Sequence, residues 1–377
     1  MEGRMLMKDK KSLQQELEEL REEYSKTKDN KATNKHLSMI RAKIASINKQ
    51  MTERKSAKGA GFSVKKSGDG VVALVGFPNA GKSSLLGILT NVESKVAGYA
   101  FTTLEVIPGM LLHKGANIQV LDLPGLIEEA SSGKGGGAKI ASVIRVTDLI
   151  LFVVDIKNYT DLFKLLDELD ALGVRLNRRA PRARIERSWT GGINIEKNGH
   201  SAPDPRSVMK IFNEFGIYNA NLILHQDLDS DQLVDLLSEN IVYIKGIVAL
   251  NKIDTLSSSE CEHIRKEIVE KTEMEVVLVS AVEKKNIEEL KDAIFNNLEL
   301  IRIFLKPKEG EVDLAKPLVV KKGSSVFTVA KTLHSKIANN LRYAYVTGKS
   351  VKFSNQKVGS THVVEDGDIV TLIYSKT

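Results

Sequence analysis

With 377 residues, 42% of them hydrophobic, the chain is long enough for two to four domains with buried cores, and its single cysteine, Cys261, excludes an internal disulfide and a cysteine-based metal cluster. Charge is +7 overall but unevenly placed: residues 31–66 hold ten Lys or Arg against Glu53 alone, so this stretch is +9 and the remainder sums to −2. No apolar run approaches the roughly 18 residues needed to span a bilayer, and Met1 through Lys11 is too charged for a secretory signal, so a cytoplasmic protein without a membrane partner is expected.

The first 62 residues carry two helical patterns. Leu13, Leu17, Leu20 and Tyr24 recur at helical spacing, and after the polar break Asp29-Asn30-Lys31 a second stripe runs through Leu37, Ile40, Ile44, Ile47 and Met51. A basic helical hairpin is expected, its apolar seam packed on itself or on the main body of the chain. Its cations fit two readings, contact with RNA phosphates or an ordinary solvated face.

An apolar strand, Val71 to Val75, then leads into Gly76-Phe77-Pro78-Asn79-Ala80-Gly81-Lys82-Ser83-Ser84 and a helix-like run. Two glycines flanking four residues let the backbone curl with its N–H groups inward, where they and the next helix N-terminus bind phosphate oxygens. This is a P-loop in its expected strand-to-helix setting, and it predicts a nucleotide polyphosphate ligand. Lys82 can reach the β- and γ-phosphates, and the Ser83 hydroxyl is placed to ligate Mg²⁺.

Two segments downstream suit sensing of a γ-phosphate. Phe101-Thr102-Thr103-Leu104 offers a hydroxyl for the Mg²⁺ shell. Asp122-Leu123-Pro124-Gly125 ends the strand Ile118 to Leu121, so that Asp122 can hold Mg²⁺ through water and the Gly125 N–H can touch the γ-phosphate. Leu126, directly after Gly125, is apolar and cannot orient an attacking water, so any phosphate cleavage is expected to have a low intrinsic rate. Residues 131–137 are Ser, Gly and Lys only and read as a switch segment that orders with the γ-phosphate.

Residues 173–240 are too long for a simple connection and are expected to form an inserted subdomain. They carry Arg175, Arg178, Arg179, Arg182, Arg184 and Arg187, the only tryptophan, Trp189, and a helical stretch near Asp231–Ser238. The arginines fit either RNA binding or pairing with the acidic stretch 227–235. The main domain resumes with the strand Ile247 to Leu250 and Asn251-Lys252-Ile253-Asp254. An ionised Asp254 accepts from guanine N1–H and N2–H₂, a donor pair that adenine lacks, so the base is predicted to be guanine. Ser280-Ala281, after Val276 to Val279, would offer a backbone N–H to guanine O6. From about residue 305, Pro307 and Gly310 suggest a linker, and beyond it come a strand at Leu318 to Val320, a helix over 326–340 and strands near 343–346, 351–353 and 369–373, a β-grasp order.

On these motifs, with Tyr99-Ala100, Gly173-Val174-Arg175-Leu176-Asn177, Gly191-Gly192-Ile193-Asn194 and Gln356-Lys357-Val358-Gly359, the chain resembles the Obg group of GTPases, and within it the developmentally regulated GTP-binding proteins of archaea and eukaryotes. The resemblance covers nearly the whole chain. It implies an α/β P-loop GTPase domain (63–172 and 241–304) with a mostly parallel sheet, the N-terminal helical hairpin (1–62), the inserted α+β subdomain (173–240) and a C-terminal β-grasp domain of the TGS type (305–377). It also places the second threonine, Thr103, in the Mg²⁺ shell and assigns Asn79 a K⁺ near the β- and γ-phosphates, where an asparagine that merely tolerates a turn is the alternative. GTP/GDP, Mg²⁺ and K⁺ are the implied ligands, ribosomal or other RNA and a regulatory protein the implied partners, with no DNA. Hydrolysis of GTP by Lys82, Asn79, Thr103 and Gly125, as a switch in translation, is the expected activity. A GTP-sensing scaffold that hardly hydrolyses, or an RNA-binding protein with a weak site, is the alternative.

Overall fold

The computed structural model describes residues 10–27, 33–53, 68–90, 107–122, 144–238, 241–307 and 310–375. The chain divides into two compact units, residues 1–61 with 178–243, and residues 62–177 with 244–377.

The second unit is built on a mostly parallel sheet. Strands β1 (Gly70–Val75), β2 (Ile107–His113), β3 (Ala116–Asp122), β4 (Leu149–Asp155), β5 (Val174–Leu176), β9 (Val242–Asn251) and β10 (Val276–Leu278) lie in the order β10-β9-β4-β1-β3-β2, with β5 against β9. β1 is buried throughout and β4 nearly so, because both faces of a parallel sheet are covered and such strands are almost wholly apolar. β2 runs antiparallel to β3 and joins it through Lys114 and Gly115, whose φ angles of 51° and 83° are those a tight hairpin turn requires. The helix Lys82–Thr90 buries Leu85, Leu86 and Leu89 on this sheet, and Ile287–Asn297 adds Leu290, Ile294 and Phe295 to the same core. Strand register gathers the polar ends. Leu74 of β1 lies beside Asp122 of β3, and Asp155 of β4 beside Asn251 of β9, so the polar residues that end these strands share one edge of the sheet.

The tail continues from this body without a break. β11 (Leu300–Leu305) pairs antiparallel with β12 (Leu318–Lys321) and parallel with β15 (Ile369–Tyr374), in the order β12-β11-β15-β13-β14 with β13 (Leu341–Thr347) and β14 (Gln356–Val358). Its first strand therefore precedes Pro307, and the Pro307–Gly310 sequence lies inside the tail, between β11 and β12. The strand expected near 351–353 is turn, and the pairing strand is Gln356–Val358. The helix expected over 326–340 is interrupted at His334, whose extended backbone separates Val326–Leu333 from Ser335–Asn339. Leu298, Leu300 and Val319 pack in the core of the parallel sheet, while Ile303, Val326, Val329, Val346 and Val370 form the tail's own core. Arg302 grips Asp366 through Nε (3.1 Å) and Nη2 (2.8 Å), which lowers the Asp366 carboxyl and raises the guanidinium.

In the first unit the N-terminal hairpin and the insertion share one body. The insertion is a three-stranded sheet, β6 (Ala183–Arg187), β8 (Ala220–Leu224) and β7 (Ile193–Glu196), with β8 central, and the helices Pro205–Glu214 and Ser230–Leu237. Each helix starts at an aspartate cap: Asp204 accepts from the Ser207 N–H with Pro205 in the first turn, and Asp229 forms a capping box with Gln232. The helix Asn34–Glu53 buries Ala42 completely among Val208, Phe212, Leu222 and Leu233. Arg41 and Ser38 both reach the Asp231 carboxylate (2.7 and 3.0 Å), Ser46 donates to the Glu214 carbonyl (2.8 Å), and Lys35 pairs with Asp204 (2.9 Å). The helix Lys10–Lys26 closes on it through Leu13, Leu17 and Ile47. Arg175, the first arginine of the series, lies in the other unit and is buried, donating to the Asp170 carbonyl at 2.7 Å.

A charge at position 42 would be buried among apolar side chains. Ala42→Asp should therefore lower the denaturation free energy of this unit by about 3 kcal/mol or more, while Ala42→Ser costs about 1 kcal/mol. Chemical denaturation followed by circular dichroism measures both, and an unchanged midpoint for Ala42→Asp would show that the N-terminal helix is dispensable to the insertion's core.

Candidate nucleotide-binding site

β1 ends at Val75, and the chain turns through residues 76–81 before the helix begins at Lys82. Steric limits explain both glycines. A Cβ at Gly76 would collide with the Val153 carbonyl of β4, and one at Gly81, where φ is +95°, would collide with the Asn251 amide. Asn79 also has a left-handed backbone (φ 64°), which asparagine tolerates better than most residues. That conformation alone accounts for an asparagine here. Pro78 and Asn79 are exposed, Phe77 is half-buried and Ala80 is buried. Lys82 bends back over the loop, its Nζ donating to the carbonyls of Gly76 (2.7 Å) and Phe77 (3.0 Å). Its ammonium is thereby held at the loop. Ser83 and Ser84 come next in the first turn of the helix, both exposed.

Ser83 Oγ donates to Asp122 Oδ2 at 3.0 Å, and Asp122 is only 1% exposed. The β1–β3 register makes this contact, since it sets the end of β3 beside the end of β1. A hydroxyl and a carboxylate converging at this spacing are hard oxygen donors of the kind Mg²⁺ takes from a protein, which leaves its remaining positions to water and phosphate. The donor set fits that ion.

Asn251 joins the loop after β9 and the Ser280–Ala281 loop to the P-loop. Its Nδ2 donates to the Ala80 carbonyl (2.9 Å), its Oδ1 accepts from the Ala281 N–H (3.1 Å), and it is 1% exposed. Lys252 takes a left-handed conformation (φ 66°), which turns the chain into the short helical turn Ile253–Thr255. Ile253 is buried as an anchor. Asp254 accepts from Ser280 Oγ at 2.6 Å, and that oxygen in turn accepts from the Glu283 N–H at 3.1 Å. The carboxylate is fixed by a fully buried serine one strand away. Such preorganisation suits an acceptor meant to read two adjacent donors on a base.

Asp155, at the end of β4, was not among the residues singled out from the motifs. It accepts from Lys252 Nζ at 2.8 Å and from the Lys157 N–H at 3.0 Å, and with Gly76, Phe77 and Pro78 it lines a small cavity beside the loop. Burial pushes this carboxyl up, but the Lys252 and Lys157 contacts outweigh burial and leave it below the ordinary carboxylate range. The signal was available: the apolar run Leu149 to Val154 ends in an aspartate, as Ile118 to Leu121 does. Phe101, Thr102, Thr103, Leu123, Pro124 and Gly125 lie outside the described residues, as do Leu126 and the segment 131–137.

Comparison with known proteins agrees with this geometry. Residues 71–179 match a family model described as 50S ribosome-binding GTPase, residues 190–300 the C-terminal region of MMR_HSR1 domain, and residues 301–374 the TGS domain. The chain is 40% identical to an uncharacterized GTP-binding protein of Methanocaldococcus jannaschii, across 97% of its own length and 93% of that protein's. It is 39% identical to the developmentally-regulated GTP-binding protein 1 homolog of Dictyostelium discoideum (96% and 99% covered) and 35% identical to human developmentally-regulated GTP-binding protein 2 (95% and 98%).

Removing the Asn251 amide strands a buried carbonyl and a buried N–H at once. Asn251→Ala should weaken nucleotide binding by about tenfold or more, since each unpaired group costs about 1–3 kcal/mol. Isothermal titration with GDP reads the change. Affinity equal to that of the parent would mean that the two loops are held together by other contacts.

Proposed function

Since the chain belongs to the family of developmentally regulated GTP-binding proteins and is a GTP-binding GTPase, we propose that it works as a Mg²⁺-dependent, K⁺-stimulated switch of low intrinsic rate that acts on ribosomal RNA. The observation that carries the nucleotide part is the convergence of Lys82, Ser83, Asp122, Asn251 and Asp254 on one edge of the parallel sheet. The RNA part rests on the match to a model described as ribosome-binding, on the TGS match, and on the local excess of cations.

In this reading Lys82 and the loop N–H groups hold the β- and γ-phosphates, and Ser83 and Asp122, with Thr103, would hold Mg²⁺, which supplies positive charge between the phosphates. Asp254 selects guanine by accepting from N1–H and N2–H₂, with Ser280 Oγ keeping it in place; the Ser280 and Ala281 N–H groups expected at guanine O6 donate here to the Lys285 carbonyl and to Asn251 Oδ1, so an O6 contact requires the Ala281 N–H to leave Asn251. Asn79 would help hold K⁺ beside the β- and γ-phosphates, and that ion would supply positive charge there. Gly125 contacts the γ-phosphate. Leu126 cannot orient an attacking water, which would leave that task to a partner and keep the unassisted rate low. The same leucine favours a second reading, a GTP-sensing scaffold that exchanges nucleotide and scarcely hydrolyses it. Multiple-turnover phosphate release with and without ribosomes separates the two, because a scaffold stays inactive in both.

Two substitutions test the assignments. Asp254→Asn replaces an acceptor by a partial donor and should shift preference from guanine to xanthine nucleotides; unaltered GTP affinity with no gain for xanthosine triphosphate would refute the base-reading role. Exchange of K⁺ for Na⁺ at constant ionic strength should slow hydrolysis about tenfold, a barrier change of about 1.4 kcal/mol, and Asn79→Ala should flatten that response. Equal rates in the two salts would assign the missing charge to a partner.

A further inference from the structure

The chain's only tryptophan is 96% exposed. Trp189 stands in the turn between β6 and β7, and the turn is tied down while the ring is not. Ser188 Oγ donates to the Thr190 carbonyl (3.0 Å), the Ser188 N–H to the Asn219 carbonyl (3.1 Å), the Gly192 N–H to Asn219 Oδ1 (2.8 Å), and the Ala220 N–H to the Gly192 carbonyl (3.0 Å). A Cβ placed at Gly191 or Gly192 would meet nothing within 4 Å, so the two residues before β7 leave open space around the turn. The register Arg187↔Ala220↔Ile193 brings a second aromatic to the same end of the sheet: Tyr218, two residues before Ala220, is 66% exposed. Arg187 is exposed there as well.

An indole left in water on a rigid turn suits a ligand with a flat face. Its setting selects which one. Residues 178–187 contain five arginines and one acid, Glu186, which is paired with Arg184 at 3.1 Å. Two exposed rings beside a local excess of arginines combine flat faces with positive charge, which matches a ligand that carries both bases and phosphates. Rings for bases and arginines for phosphates are how sequence-tolerant single-strand binding is built.

We propose that this end of the inserted sheet is a single-stranded RNA subsite, in which Trp189 stacks on an unpaired base, Tyr218 offers a second ring, and Arg187 contacts the backbone phosphates. It rests on the RNA part of the function proposed above and is independent of hydrolysis. Stacking on both rings needs unpaired bases, so a duplex is excluded and a looped or unwound strand is the ligand.

Because no other tryptophan is present, its emission reports on this subsite alone. The full chain is titrated with a 12-nucleotide oligouridylate, with the same strand paired to oligoadenylate, and with heparin, a polyanion without bases. The single strand should quench Trp189 emission, and the duplex and heparin should not. Trp189→Ala should weaken oligouridylate binding about tenfold with GTP hydrolysis unchanged, and Trp189→Phe should recover most of the loss. Arg187→Ala should flatten the slope of log affinity against log salt by about 0.7. If the oligonucleotide binds with emission and Trp189→Ala affinity unaltered, the subsite is refuted while RNA binding elsewhere on the chain stands. Quenching by heparin as strong as by RNA would reduce the contact to charge alone and overturn stacking. If neither ribosomes nor oligonucleotides bind, the RNA reading falls and the subsite with it.

Discussion

The phosphate loop and the loops that follow β9 and β10 are tied together through one buried amide. Asn251 spans from the Ala80 carbonyl in the phosphate loop to the Ala281 N–H in the last base-reading loop, so segments some two hundred residues apart in sequence are fixed by two hydrogen bonds on one side chain. It is placed there by the parallel pairing of β9 with β4, which aligns Asn251 with Asp155, and it forbids a side chain at Gly81. A glycine and an asparagine in motifs far apart in the chain are thus one steric and hydrogen-bonding unit. Because the amide is almost wholly buried, its partners have no water to fall back on, and the arrangement is strongly specified.

The body that carries the site runs on into the tail. β3 presents Asp122 at one end, and at its other end the hairpin turn at Gly115 sits so close to Pro317 that a Cβ there would touch the proline ring at 2.5 Å. The helix Ile287–Asn297, next in the chain after the Ser280–Ala281 loop, leads through Leu298 directly into β11, and Lys321 of β12 donates to the Leu298 carbonyl at 2.9 Å. His113 and Lys114 of the same hairpin both meet Asp292 on that helix, and their contacts hold its carboxyl below the usual range. The tail is therefore packed against the elements that end at the nucleotide loops, with shared apolar residues in place of a tether.

The other unit shows how a charged segment can be structural and still offer cations. On the helix Asn34–Glu53, Arg41 and Lys35 are committed to Asp231 and Asp204, so part of the basic excess of residues 31–66 serves internal pairing; Lys43, in contrast, is exposed. Lys35 is exposed and Asp204 half-buried, and a pair so open to solvent contributes little to stability. The larger share comes from Ala42, Met39 and Ala45 against the insertion's apolar helices.

The amino-acid sequence by itself marked the candidate residues: the P-loop, Ser83 and Asp122, and Asp254 are legible because each belongs to a motif of fixed local spacing that follows an apolar strand. It also determined the strands of the parallel sheet, whose burial on both faces leaves continuous apolar runs, and the helical stripes at the N-terminus. Long-range pairing left no such mark. That Asn251 clamps two loops, that Asp155 belongs beside Lys252, that Leu300–Leu305 is the tail's first strand, and that the N-terminal helix completes the core of an insertion some 160 residues later depend on register and packing between distant segments. An alanine in a helical stripe looks the same whether it meets solvent, a partner helix or Phe212, and only the tertiary structure decides which.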